Sequence, residues 1–319
     1  MDIRGKFFAV GQGLTYAFVV DQAHVLFDIN KKCDFAALES FYGSKQIDIM
    51  ILSHFHMDHM DGVKKLYAEG FKIRKIYIPY ITEDEKMIYM LMYIDQDRNF
   101  EEETAMLYDS EYDVVIERVR DTTVFALACW QFDIYNSQGN AKSVIKRILA
   151  GLKSIGIHNQ ADLKNKLSTQ LNKIMTVYKN LKVDLNLTSM FMVHGPAKGI
   201  CVKKSCYCGK PFIFPRNLTR LITSGHYHTL ISGDCNLSKN RPILKKYSKM
   251  LAYALVPHHS GVKEWADYIC KNSNEMVWIV TINVISSRPY GKIISDIYSN
   301  GDELYICDSC TEFKHAFEV

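Results

Sequence analysis

Apolar and polar positions along the chain fall into two textures. Up to about residue 80 the texture is strand-like. Residues 6–10 and 16–20 are short β runs separated by Gly11–Gln12–Gly13, and residues 24–27 form a third apolar run that closes at Asp28. Residues 35–42 read as a helix. Residues 47–52 (IDIMIL) are a near-continuous apolar run of strand length, the mark of a strand buried on both faces. Residues 72–78 predict another strand, stopped by Pro79. From residue 82 to 181 the apolar positions recur three and four apart among Lys, Glu and Gln, which is a helical period. Its clearest stretches are 83–108 and 142–178, the second broken near Gly156, with a short aromatic strand at 124–135 between them. Strand signals resume at 189–193, 221–223, 229–232, 251–256, 277–285 and 303–307. The pattern predicts one α/β domain over residues 1–319, with 82–181 as a mostly helical insertion or cap.

Composition narrows the class. Apolar residues make up 48% and charged residues 23%, enough to bury a large core and unlike a disordered chain. The net charge of +4, from 39 basic and 35 acidic residues, does not by itself imply a nucleic-acid partner. The opening MDIRGKFFAVGQG lacks the pattern of a secretory signal, and no apolar stretch is long enough for a membrane span. The nine cysteines are odd in number and scattered, as expected of reduced thiols in the cytoplasm. Cys201, Cys206 and Cys208, flanked by Lys203, Lys204 and Lys210, read as a solvated β-hairpin ahead of a small zinc knuckle.

Chemistry concentrates directly after the buried run, in SHFHMDHMDG. A tight turn lets His54 and His56 point to one side, while Asp58 and His59 face a neighbouring position. Imidazole and carboxylate donors suit zinc, and also manganese or iron. Loops at the ends of buried strands are where α/β proteins usually keep their reactive groups.

His-x-His-x-Asp-His after an apolar strand resembles the signature of the metallo-β-lactamase superfamily. The resemblance implies a four-layer αββα sandwich with two divalent metal ions at one edge between the sheets. His54 and His56 would hold one ion, and Asp58 and His59 the other. Further landmarks resemble the subgroup typified by the metallo-β-lactamase domain of ComEC-type DNA-uptake proteins. Val10–Gly11–Gln12–Gly13 is similar to its VGQG opening, and Asp28 to the aspartate closing its third strand. Ser232–Gly233–Asp234 is similar to its T-G-D, which implies that Asp234 bridges the metals. Val256–Pro257–His258–His259–Ser260–Gly261 is similar to its V-x-H-H-G-S with the last two residues exchanged, and Tyr290–Gly291 to a following Y-G segment. Of the histidine pair, His258 is expected as the ligand and His259 as a substrate or orienting contact. Asp28 is expected to orient a ligand histidine. Superfamily members usually carry a further histidine before the aspartate. Here the matching stretch is Asn186–Leu187–Thr188–Ser189, which leaves the first site short unless His194, His226 or His228 swings in.

Two metals so held would lower the pKa of a shared water toward about 7 and give a hydroxide nucleophile at neutral pH. Asp58 would orient it, and His259, His228 or Tyr290 would deliver a proton to the leaving group. The subgroup resemblance implies a phosphodiester substrate, in nucleic acid or a nucleotide, with Lys239, Arg241, Lys245, Lys246 and Lys249, or Arg288 and Lys292, as phosphate contacts. The alternatives are an ester, thioester or lactone hydrolase, and a non-catalytic binding module that meets a protein partner through the helical block.

Overall fold

The computed structural model describes residues 1–11, 13–107, 114–137, 141–180, 189–211, 218–222, 226–259, 264–272, 276–282 and 291–319. In chain order the elements are β1 (Ile3–Phe7), β2 (Tyr16–Val20), β3 (Ala23–Phe27), α1 (Phe35–Tyr42), β4 (Gln46–Ile51), α2 (Met57–Met60), α3 (Val63–Ala68), β5 (Lys72–Pro79), α4 (Glu83–Ile94), α5 (Phe100–Thr104), β6 (Val115–Val119), β7 (Thr122–Leu127) and β8 (Trp130–Ser137). They continue with α6 (Ala141–Ser154), α7 (Gln160–Asn180), β9 (Ser189–Pro196), β10 (Lys204–Pro211), β11 (Leu218–Ile222), β12 (His228–Ile231), α8 (Arg241–Leu244), β13 (Leu251–Leu255), β14 (Val277–Thr281), α9 (Gly291–Ser299), β15 (Glu303–Cys307) and β16 (Phe313–Glu318).

The strands form two sheets. The first runs β6-β5-β4-β3-β2-β1-β16-β10, with β11 beside β10. The second runs β15-β14-β13-β12-β9-β8-β7. One strand joins them: the Lys204–Cys208 part of β10 pairs with β16, while Lys210 and Pro211 pair with β15. Three apolar clusters give the layer order. Phe18, Phe27, Trp130, Phe132 and Tyr253 fill the space between the sheets. Residues of α1, α3, α4, α6 and α7 pack on the outer face of the first sheet. On the outer face of the second lie Leu244 of α8, Ile293 and Ile297 of α9, and Trp265. This is the expected four-layer αββα sandwich. Strands β3, β4 and β5 pair in parallel, and their C-terminal halves are apolar because both faces are covered there.

The helices follow local signals. Asp34 caps α1 by accepting the Ala37 N–H, and Gly43 closes it with φ of 75°. Thr82 and Glu85 make a reciprocal capping box at α4, where Glu83 and Asp84 also face the positive end of the helix. The block at 82–181, expected to be mostly helical with one strand at 124–135, contains three strands among its described residues. Within it β6 adds to the edge of the first sheet, and the β7–β8 hairpin pairs onto β9 of the second. The chain crosses between sheets there, so a helical layer and three strands of the sandwich share the block. The expected hairpin around Cys206 and Cys208 is present as β10 and β11, and all nine cysteines are free thiols. No described helix is long and apolar enough to cross a membrane.

Candidate metal centre

The centre is assembled where the C-terminal end of β4 meets the second sheet. The Ser53 carbonyl accepts the N–H of Met190, the second residue of β9, which ties the loop after β4 to both sheets. Behind the loop, the helical layer braces it. Tyr93 of α4 donates its hydroxyl to the Phe55 carbonyl at 2.7 Å, and the Phe55 ring packs on Tyr89 and Phe100. In front, Gly13 and Leu14 lie against Asp58, whose carbonyl accepts the Leu14 N–H at 3.4 Å, while Gln12 lies outside the described residues. Gly13 has φ of 121°, and a β-carbon there would sit 2.6 Å from the Asp58 carbonyl, which explains why glycine stands at that position.

Asp28 is the hub of a proton inventory. Its backbone is left-handed (φ 53°) and its side chain is fully buried. Oδ1 accepts the Ser53 N–H at 2.6 Å, and Oδ2 accepts the Ser53 hydroxyl at 2.7 Å and lies 2.7 Å from His59 Nδ1. Since a carboxylate only accepts, His59 carries its proton on Nδ1. The Ser53 hydroxyl has one proton and has given it to Asp28, so toward His54 Nδ1, at 2.8 Å, it accepts. One buried carboxylate thus fixes a proton on Nδ1 of two histidines and turns Nε2 of each inward, where the neutral ring offers its lone pair.

Asp234 is what they face. It follows β12 through Gly233, whose φ is 50° and whose missing β-carbon leaves room for Ser53 and Ser189. The Asp234 N–H is accepted by Ser189 Oγ at 3.3 Å. Ser189, the last residue of the stretch expected to replace the usual histidine, therefore fixes the turn that carries Asp234. Its neighbours Asn186, Leu187 and Thr188 lie outside the described residues. His54 Nε2 is 3.6 Å from Asp234 Oδ2, and His59 Nε2 is 3.3 Å from Asp234 Oδ1. The paired histidines approach the same carboxylate: His258 Nε2 is 3.9 Å from Oδ2, and His259 Nε2 is 4.0 Å from Oδ1 and 3.4 Å from Asp58 Oδ2. His259 is oriented from behind by Thr281, whose carbonyl and hydroxyl lie 3.1 and 3.0 Å from Nδ1.

Two donor groups result. The ligand atoms of His54, His59 and Asp234 lie within 4.8 Å of one another, as do those of Asp58, His59 and His259. His56 stands beside His54, ring centroids 4.5 Å apart. The donors fit a divalent cation. His54 Nε2, His59 Nε2 and Asp234 Oδ1 are buried and make no hydrogen bond, an arrangement that is costly unless something else satisfies them. The field is consistent with this. Burial opposes charge on His59, yet Asp234, Asp58 and Asp28 outweigh it and hold the imidazole pKa well above its ordinary value. Burial also opposes ionisation of Asp234 and Asp58, but His59 and its neighbours hold both well below the usual carboxylate range. His54 is pushed well down by burial and by the charges of His59 and His56. Burial lowers His56, on which the charges of Asp234, Asp58, His59 and His258 also act. The carboxylates remain ionised and draw positive charge into a buried pocket.

Among the described residues, none of the other histidines proposed for the centre joins either donor group. His194 lies between the sheets, accepting the Trp130 indole N–H on Nδ1 at 2.9 Å and meeting the Tyr16 hydroxyl with Nε2 at 2.9 Å. His228 begins β12, at the opposite end of that strand from Asp234, and burial lowers it to about 4. His226 precedes it, farther still along the chain. Lys292 is held by Asp296 on its own helix at 2.9 Å. Lys239, Arg241, Lys245, Lys246 and Lys249 are exposed, with Arg241 lying over the Tyr268 ring. Ser260, Gly261, Arg288 and Tyr290 lie outside the described residues. Sequence reasoning did not single out Ser53, Thr281 or Glu264. The first immediately precedes His54 and could have been suspected; the other two come from remote segments with no motif of their own.

No protein-family model and no curated protein sequence matches the chain. Solved structures do resemble it. They include unliganded yeast PDE1 (9% identity, 100% of each chain covered, TM-score 0.49), the short form of human tRNase Z (10% identity, 97% of this chain and 98% of that one, TM-score 0.47), and the metallo-β-lactamase-fold protein YhfI from Bacillus subtilis (10% identity, 98% and 99%, TM-score 0.46).

Proposed function

We propose that this chain is a metal-dependent hydrolase of phosphodiesters, related to the ComEC-like subgroup and built on two divalent ions, with zinc ahead of manganese or iron. The observation that carries the reading is Asp234: each of its oxygens faces two histidine Nε2 atoms, and the two on the Oδ1 side, those of His59 and His259, also lie 4.0 and 3.4 Å from Asp58 Oδ2. His54 and His56 would serve one ion, and Asp58, His59 and His259 the other, with Asp234 between. Bound there, such ions supply Lewis acidity toward phosphoryl oxygens and a water acidic enough to attack near neutral pH.

The chain's own groups supply the rest. Asp58, ionised and one-third exposed, is the most accessible carboxylate of the cluster and would orient the attacking water. Asp28 and Ser53 keep the Nδ1 protons of His59 and His54 in place, so with an ion held at Nε2 neither ring would present a proton to the reacting centre. The Thr281 contacts do the same for His259, which we assign to the ligands rather than to proton delivery. Choice of phosphodiester over ester follows the subgroup motifs and the exposed basic run from Lys239 to Lys249.

The test is turnover of bis-p-nitrophenyl phosphate and of single-stranded DNA with added zinc or manganese, beside a His56→Ala plus Asp58→Ala variant. Cleavage lost in the variant supports the proposal. Bound metal without phosphodiester turnover would move the reading to esters, thioesters or lactones. Neither metal nor turnover would sink the enzyme and leave the helical layer as an interaction surface.

A further inference from the structure

His258 and His259 are consecutive, and both are left-handed, with φ of 48° and 47°. Two such residues in a row, neither of them glycine, persist only where surrounding contacts over-determine them. The contacts are present on each side. The His258 N–H donates to the Gly233 carbonyl at 3.2 Å, which pins the pair to the turn that carries Asp234. His258 Nδ1 lies 3.3 Å from Glu264 Oε2, a carboxylate that is itself buried. That contact places the proton on Nδ1 and turns Nε2 toward Asp234 Oδ2, at 3.9 Å. The pattern repeats that of His54, His59 and His259, where Ser53, Asp28 and Thr281 hold Nδ1 and Nε2 points inward.

The two rings straddle one carboxylate. His259 shares Asp234 Oδ1 with His59, whereas His258 shares Oδ2 with His54. Donors about 2.0–2.2 Å from a common ion stand about 3.3–3.8 Å apart at tetrahedral to trigonal angles. Around Oδ2 the His54 separation of 3.6 Å lies within that range, whereas His258 at 3.9 Å lies just beyond it and outside both close donor groups, so a shared ion would draw its ring inward. The first site otherwise lacks a histidine, and the residue standing in its place, Ser189, is occupied with the Asp234 N–H.

Resting on the two-metal reading above, we propose that the histidine pair is divided between the sites: His259 completes the second, and His258 replaces the absent third histidine of the first, with Glu264 as its positioning residue. Because each histidine serves a different site, loss of His258 weakens the first and leaves the second.

The experiment is zinc binding to the full chain by calorimetry and elemental analysis, for wild type, His258→Asn and Glu264→Gln. Asparagine is chosen because it tolerates a left-handed backbone. The expected result is two equivalents in wild type. In His258→Asn, one equivalent is retained at wild-type affinity and the other is weakened beyond detection at stoichiometric zinc. Glu264→Gln weakens the same equivalent by about 10–100-fold. A purely structural role for the His258–Glu264 pair would lower thermal stability and leave both equivalents in place, and that result would overturn the proposal. Wild type that binds no zinc would instead overturn the two-metal reading itself.

Discussion

Replacing Asp28 with asparagine keeps the side chain's shape, removes one of the negative charges acting on His59 and turns one acceptor into a donor. Asparagine tolerates the left-handed backbone at φ 53°, and its carbonyl can keep the Ser53 N–H. Its amide, in place of Oδ2, donates where the carboxylate accepted. It therefore meets two protons, those of the Ser53 hydroxyl and of His59 Nδ1. The resolution available to a neutral His59 is to move its proton to Nε2, which then faces Asp234 Oδ1 at 3.3 Å and offers no lone pair to an ion. Ser53 is released as well, so His54 loses the fixed acceptor on its Nδ1. Loss of such an orienting partner typically costs 10–100-fold in metal affinity, or about 1.4–2.7 kcal/mol. Competition of each protein with a chromophoric zinc chelator measures this directly. Asp61→Asn, a same-size change in the same loop whose carboxylate accepts the Lys31 N–H, serves as the control and should leave affinity unchanged. Wild-type affinity in Asp28→Asn would refute the proton inventory on which the description of the centre depends.

Three other outcomes follow from the packing around the centre. Gly13→Ala places a β-carbon against the Asp58 carbonyl at a φ unsuited to alanine, and should cost about 1–3 kcal/mol by chemical denaturation. It should weaken zinc binding at the same time, and a silent substitution would contradict the close approach. Tyr93→Phe removes the hydroxyl that satisfies the Phe55 carbonyl and should destabilise the fold by about 1–2 kcal/mol in the same measurement. Acid should loosen the core in chelator, where metal loss plays no part. His315, buried between the sheets against Tyr16, is pushed down to about 3 by burial, so it is neutral when folded while an unfolded imidazole titrates near 6.5. The unfolded state then binds more protons, and stability present above about pH 6.5 is lost as pH falls, by roughly 2–3 kcal/mol for this group by pH 4.5. A thermal midpoint that stays flat from pH 6.5 to 4.5 would contradict the burial of these imidazoles.

What could be read from sequence was local. Strand β2 and helix α1 fall at their expected bounds, and β4 within a residue or so, because their periodicity and flanking caps are complete within short windows. The motif after β4 was legible for the same reason: four of the donors lie between His54 and His59. Non-local elements were not. Strand β10, charged and cysteine-rich, reads as a surface hairpin, yet its two ends pair with different sheets and join them. Strand β16, FKHAFE, has a mixed pattern and becomes a strand by pairing with β1 at the other end of the chain. The same distance hides Thr281 and Glu264, whose roles arise only when remote turns meet beside Asp234. A single histidine of the 258–259 pair was expected to touch metal, whereas both imidazoles approach the carboxylate, one at each oxygen.

The central claim is that Asp234 stands between two ions. Crystals grown with zinc and measured on either side of its absorption edge locate those ions directly. The account predicts two anomalous peaks, one beside Asp234 Oδ2 with His54, His56 and His258, the other beside Oδ1 with Asp58, His59 and His259. A single peak, or peaks that do not touch Asp234, would contradict it.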